Sequence, residues 1–305
     1  MEDWQARIIG DIKGTQPGPL VVLVGSMHGN EPAGSHAISA VFQALKGHEA
    51  ALQGRMVGVV GNPAALAQNR RFRHYDLNRC WTEESWQQLL AKDPQEWVGE
   101  DEDFYQLHRL FESLQGSEYT QKVCVDLHTT SAKNGNFMVV PEEEANVPLL
   151  KHLHLPVVVD LAKYLRGTLL QFLHPWGYLS FALEGGQLGS AEAAQLHESA
   201  CWTLLAKVGA LPEPLCVRLN PYPNHLTQVA AELPAQVQVR YHHRVAPTDK
   251  FKMRPGYVNF MPIAAGEHLA DDVNGPILAP CGGLMFMPLY QDQGEDGFFI
   301  VAPLT

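Results

Sequence analysis

Met27-His28-Gly29-Asn30-Glu31 sets an imidazole and a carboxylate three residues apart, directly after an apolar run. A second imidazole lies far downstream, His128 in Asp126-Leu127-His128-Thr129-Thr130. Two nitrogen donors and one carboxylate, as a close pair and a distant third, make the His₂Glu set that holds a catalytic zinc and leaves one coordination position open for water. That open position implies hydrolysis. A lone histidine at a strand end is more often a core residue than a ligand. Here the H-x-x-E stands in a glycine-flanked loop, and a D-x-H ends a strand at what should be the same sheet edge. Asp126 is two residues from His128 on that strand, so the two share a face and the carboxylate can orient a ligand imidazole; capping a nearby turn is the alternative. Glu184 ends another apolar strand before Gly185-Gly186. A carboxylate beside the open position can take a proton from water and pass it to a leaving amine, which makes Glu184 the candidate general base. The plainer alternative is a solvated loop carboxylate.

The stretch from Asn69 to Arg79 holds four of the 22 Lys and Arg residues of an acidic chain. Such a run is usually a solvated basic loop. Guanidinium forks also suit planar carboxylates and can stabilise the oxyanion of a tetrahedral intermediate, so an anionic substrate is expected. His152-x-His154 and His242-His243 lack a nearby acid and turn, and read as surface or packing residues. No G-x-S-x-G elbow, phosphate loop or dinucleotide fingerprint occurs.

These residues need a frame. Pro19–Gly25 is short, branched and bounded by turn formers, as a fully buried strand is. The pattern recurs at Arg55–Val60, Lys122–Leu127 and Tyr178–Leu183. Helical spacing occupies Pro32–Leu45, Glu83–Ala91, Asp101–Leu114 and Ala191–Val208. Strands alternating with helices predict an α/β fold, a largely parallel sheet covered on both faces, with ligands bound beyond the carboxyl ends of the strands. His28, Glu31, Asn62, His128 and Glu184 all fall there. Past residue 208 the chain changes character, with Leu211-Pro212-Glu213-Pro214 as a hinge and short runs such as Gln236–Tyr241. The expected division is a catalytic domain over 1–208 and a smaller β-rich domain over 209–305.

A chain of 305 residues, 46% hydrophobic and 18% charged, fits a protein with a sizeable core. Its net charge of −11 argues against nucleic acid or an anionic membrane as partner. No segment has the ~20 apolar residues of a membrane span. The opening Met1-Glu2-Asp3-Trp4-Gln5 carries acids where a secretory signal carries lysines, and the five cysteines form no C-x-x-C or even framework. The expected location is the cytoplasm.

With Gly-x-x-His28-Gly29-Asn30-Glu31, Asn62-Pro63, Arg71, Asp76-Leu77-Asn78-Arg79, Asp126-Leu127-His128-Thr129-Thr130 and Glu184 in this order, the chain resembles the aspartoacylase and succinylglutamate desuccinylase family of zinc amidohydrolases. The resemblance spans most of the chain and is closer to the aspartoacylase branch. It implies a carboxypeptidase-like catalytic domain whose one zinc is held by His28, Glu31 and His128, with Glu184 as base. By the same resemblance Arg71 polarises the scissile carbonyl, Asn78 and Arg79 grip a substrate carboxylate, and Asn62 lines the cavity. The tail is similar to the family's cleft-narrowing C-terminal domain. Two places depart from the aspartoacylase pattern. Tyr164-Leu165-Arg166 stands for a Tyr-x-x-x-Arg with different spacing and farther upstream, and Gly297-Phe298-Phe299 has a phenylalanine where that branch uses a tyrosine. The implied reaction is hydrolysis of a small anionic N-acyl amino acid to a carboxylate and a free amino acid near neutral pH. Succinylglutamate desuccinylase, a metallocarboxypeptidase and a non-catalytic metal-binding protein are the alternatives, and self-association is left open.

Overall fold

Leu20, Val21, Val22, Leu23 and Val24 are all fully buried, because successive side chains of this strand enter two different cores. Val21 and Leu23 pack with Ile38, Val41, Trp202 and Leu205, whereas Leu20, Val22 and Val24 pack with Phe104, Leu107, Phe111 and Trp81. The computed structural model, described for residues 3–141 and 147–304, is therefore a sheet between two helical layers. Met1 and Glu2, on which part of the export reading rests, lie outside the described residues.

Among the described residues fourteen strands form the sheets: β1 (Ile8–Lys13), β2 (Gln16–Gly25), β3 (Gln53–Val60), β4 (Lys122–Thr130), β5 (Asn136–Val139), β6 (Val157–Val158), β7 (Tyr178–Gln187), β8 (Gln236–Arg244), β9 (Lys252–Met253), β10 (Pro262–Ile263), β11 (His268–Asp272), β12 (Gly275–Leu278), β13 (Gly283–Phe286) and β14 (Asp296–Pro303). Eleven join one mixed sheet in the order β1-β3-β2-β4-β7-β5-β6-β8-β14-β13-β10, and β12-β11-β9 form a small antiparallel sheet. The four central strands, β3-β2-β4-β7, are mutually parallel, so their carboxyl ends share one edge. The helices Ala33–Ala44, Glu83–Ala91, Asp101–Ser113 and Ala191–Lys207 lie where hydrophobic periodicity places them.

Two strands run past their expected ends. β4 continues through Thr130, and β7 continues through Gln187 so that Glu184-Gly185-Gly186 is strand. The cause is tertiary: β5 pairs antiparallel with this end of β7, Phe137 opposite Glu184 and Asn136 opposite Gly185. The tail begins with two short helices, Glu213–Leu219 and His225–Ala230, before any strand. β8 then hydrogen-bonds to β6, and one hydrophobic cluster joins Phe137, Val158 and Leu170 to Val237, Phe286 and Phe299. Hydrogen bonding and core thus run across residue 208. The division into 1–208 and 209–305 is retained as a proposal.

Candidate active site

β2 ends at Gly25, and Ser26 turns the chain with φ +53°, a conformation strained for a side-chain-bearing residue. The turn is held by Ser26 Oγ on Ser35 Oγ at 2.7 Å. His28, Gly29, Asn30 and Glu31 follow it. Gly29 has no substitute, because a Cβ there would lie 2.1 Å from the backbone of Ala65. The loop therefore seats against the helix Pro63–Ala67 and directs His28 and Glu31 toward the end of β4.

There His28, Glu31 and His128 bring one donor atom each within 4.8 Å of one another, all three buried. Glu31 Oε1 is 3.0 Å from His28 Nδ1, and Glu31 Oε2 is 3.2 Å from His128 Nδ1. A tetrahedral zinc with bonds of about 2.0–2.1 Å has ligand separations of roughly 3.3 Å, so the set fits the ion. The far nitrogens are each tied to a carboxylate: His28 Nε2 to Asp76 Oδ1 at 3.0 Å and His128 Nε2 to Asp126 Oδ2 at 2.8 Å. Those bonds favour, in the neutral ring, the tautomer that carries its proton on Nε2 and offers the Nδ1 lone pair to a metal. The two-residue spacing of Asp126 and His128 thus has the expected geometry, and Asp76 does for His28 what Asp126 does for His128.

Electrostatics follows the same grouping. Burial would raise the Glu31 carboxyl, yet His28 and His128 hold it well below the usual carboxylate range. Burial would lower His128, but Asp126 and Glu31 hold it well above its ordinary value. Arg71 binds Glu31 Oε1 at 3.3 Å and Asp76 Oδ2 at 3.1 Å.

Glu184 stands opposite His128 in the parallel register of β4 and β7. It is buried, and burial pushes its carboxyl up to about 8, with Glu31 raising it further and His128 and Arg71 opposing. Its Oε2 has no hydrogen-bond partner, and neither has Arg71 Nε. A buried acceptor and a buried donor without partners at one site mark a place where a ligand's polar atoms belong.

The loop that carries Arg71 is fixed from below. Glu100, fully buried, accepts from the backbone N–H of Arg73, His74 and Tyr75 at 2.6, 2.9 and 3.2 Å and from Asn62 Nδ2 at 3.2 Å. Asn62 is fully buried too, and its Oδ1 caps the helix Pro63–Ala67 by accepting from Ala65 N at 3.0 Å. One end of that amide thus braces Glu100 and the other the helix. Glu100 escaped sequence reasoning because an acid ahead of a helix reads as an ordinary helix start.

Asn78 is likewise engaged with the protein. Its Nδ2 lies 3.3 Å from both Asp126 Oδ2 and His128 Nε2, and its Oδ1 accepts from Leu169 N at 2.9 Å. Arg79 donates from Nη1 to the Asn78 carbonyl at 2.9 Å and from Nη2 to Asp296 at 3.2 Å. Tyr164 is half-exposed with its ring edge-on to His242 and Phe299, which places it beside this group. Arg166 is exposed on the following turn. His242, read as a packing residue, does stack on Phe299, and it also binds Asp296 at 2.8 Å.

A parallel-centred α/β sheet with a buried His₂Glu donor set and a buried carboxylate with one unpartnered oxygen at its carboxyl edge defines a metallohydrolase type of site. A family model described as the succinylglutamate desuccinylase/aspartoacylase catalytic domain matches residues 17–204. The chain belongs to that family. A probable aspartoacylase from Prochlorococcus marinus is 28% identical over 172 residues, covering 53% of this chain and 52% of that protein. A succinylglutamate desuccinylase from Erwinia tasmaniensis is 46% identical over 65 residues, 21% of this chain and 20% of that one. The matched stretches therefore span about half of the first of these relatives and a fifth of the second. Among solved structures, a succinylglutamatedesuccinylase/aspartoacylase from Rhodobacter sphaeroides superposes with a TM-score of 0.66 at 17% identity, covering 96% of this chain and 88% of that one. The product-bound Ectoine utilization protein EutE (DoeB) from Ruegeria pomeroyi gives 0.62 at 16% identity, covering 96% and 87%. At such identities these two likenesses show the fold.

Proposed function

We propose that this chain is a zinc-dependent deacylase that hydrolyses the amide bond of small N-acyl amino acids. The observation that carries this is Glu184, buried with one free oxygen, held by strand register next to the His128 member of a His₂Glu donor set. Zinc held by His28, Glu31 and His128 would supply an acidified water and a Lewis acid for the amide carbonyl. Glu184 takes the proton of the attacking water and delivers it to the leaving amine. Arg71 has an unpartnered Nε and stabilises the oxyanion, while its other nitrogens stay on Glu31 and Asp76. Arg79, beside the ligand-bound Asn78, meets the substrate carboxylate, with Tyr164 as a wall; an exposed Arg166 fits only a contact at the rim. All five cysteines are free, which fits a reducing compartment and a cytoplasmic location. Among the described residues no helix is long and apolar enough to cross a membrane.

The test is amine release from a panel of N-acetyl and N-succinyl amino acids by zinc-loaded protein and by Glu184→Gln. The account expects turnover of at least one member, and a loss of about a thousand-fold or more in Glu184→Gln with metal content unchanged. No turnover of any member, or an undiminished Glu184→Gln, contradicts it.

A further inference from the structure

The arginine expected to meet a substrate carboxylate already carries one from its own chain. Asp296, at the start of β14, sets Oδ2 3.2 Å from Arg79 Nη2 and Oδ1 2.8 Å from His242 Nε2. His242 cannot turn away: its ring lies flat on Phe299, 4.2 Å between centroids and 5° between planes, with Tyr164 edge-on at 5.4 Å. Phe299 and His242 are register partners on β14 and β8, so strand pairing itself aims the imidazole at Asp296. The pair is accessible, with Arg79 30% and Asp296 16% exposed at the side chain. Burial would raise the Asp296 carboxyl, but the His242 hydrogen bond and Arg79 hold it below the usual range, so it is an anion at neutral pH.

We propose that Asp296 sets the charge preference of the substrate pocket, admitting amino-acid moieties with one carboxylate and disfavouring those with a second. This rests on the N-acyl amino acid reading above. Arg79 with Asp296 is a neutral pair. A single substrate carboxylate shares the remaining guanidinium donors; a second anion placed beside Arg79 finds its charge already offset and is repelled by Asp296, more strongly in a partly dry site than in water. The alternative, an ion pair that only fastens the tail to the catalytic segment, would leave selectivity unmoved.

N-acetylasparagine and N-acetylaspartate have the same shape and differ by one charge. Their binding is measured by calorimetry to the full zinc-loaded chain carrying Glu184→Gln, so that neither is consumed. With Asp296 in place, N-acetylasparagine binds about ten-fold or more tighter; Asp296→Asn shrinks that ratio by about ten-fold, and Asp296→Glu keeps it. A ratio that Asp296→Asn does not change overturns the proposal. So does tighter binding of N-acetylaspartate to the protein with Asp296 in place, which decides the matter even if the Asn variant fails to fold. Binding of neither compound overturns this proposal, and overturns the deacylase reading with it only where no other N-acyl amino acid of the panel turns over; turnover with an unmoved ratio overturns this one alone.

Discussion

At the residue scale, the site is two imidazoles whose inner nitrogens face one carboxylate and whose outer nitrogens face two others, Asp76 and Asp126. Because these carboxylates fix tautomer and ring angle, Asp76→Ala or Asp126→Ala should weaken zinc binding by about 10- to 100-fold without removing a ligand, as competition with a chelator would measure. Unchanged affinity would show that the rings are oriented by packing alone. The raised His128 predicts a second property. A group held above its ordinary value keeps its proton more tightly, and a ligand nitrogen must be neutral, so zinc competes with protons for the site and binds more tightly as pH rises. Calorimetry in buffers of different ionisation enthalpy should return buffer-dependent heats; identical heats would contradict this. The clustering of His28, Glu31 and His128 with Glu184 beside them was legible in the sequence because their types and spacings are chemically restrictive. Asp76 and Asp296 were not, since an acid in a loop or at a strand start looks the same whether it faces water or an arginine.

At the element scale, strand ends and two supporting contacts place the chemistry. Glu100 gathers three backbone N–H groups of the Arg71–Asp76 loop and the Asn62 amide without exposure to water. Glu100→Ala leaves those donors buried and unpaired, and should cost about 3 kcal/mol or more, lowering Tm and loosening Arg71. A Tm within a degree or two of the parent would contradict the assignment. Gly185, next to Glu184, admits no Cβ: one would lie 2.2 Å from His197 Nε2 on the helix beneath. Gly185→Ala is expected to displace Glu184 and cut kcat with little change in zinc content, read by steady-state kinetics and metal analysis; an unchanged kcat would show that the strand tolerates the shift. The four long helices and central strands were legible from periodicity. β1, β5 and β6 were not, because they are short or lie at positions where pairing with a distant partner, not local pattern, makes them strands.

At the scale of the whole molecule, the tail completes the sheet and the pocket. β8 pairs with β6, and β14 brings Asp296 to Arg79. A shared hydrophobic cluster across this junction predicts one cooperative unfolding transition, with the hinge near Leu211–Pro214 cleaved only slowly by protease. Two separated calorimetric transitions, or stable fragments parted near residue 208, would instead favour independent domains. Composition and proline spacing showed where the chain changes character, but a change in pattern does not reveal whether the next strand starts a new sheet or extends the old one.

The most direct measurement is the metal content of purified protein after zinc loading and dialysis. One zinc per chain is expected in the parent and in Glu184→Gln, and loss of it in His28→Ala, Glu31→Ala and His128→Ala. Full retention of zinc by all three of those variants would place the ion elsewhere and contradict the account.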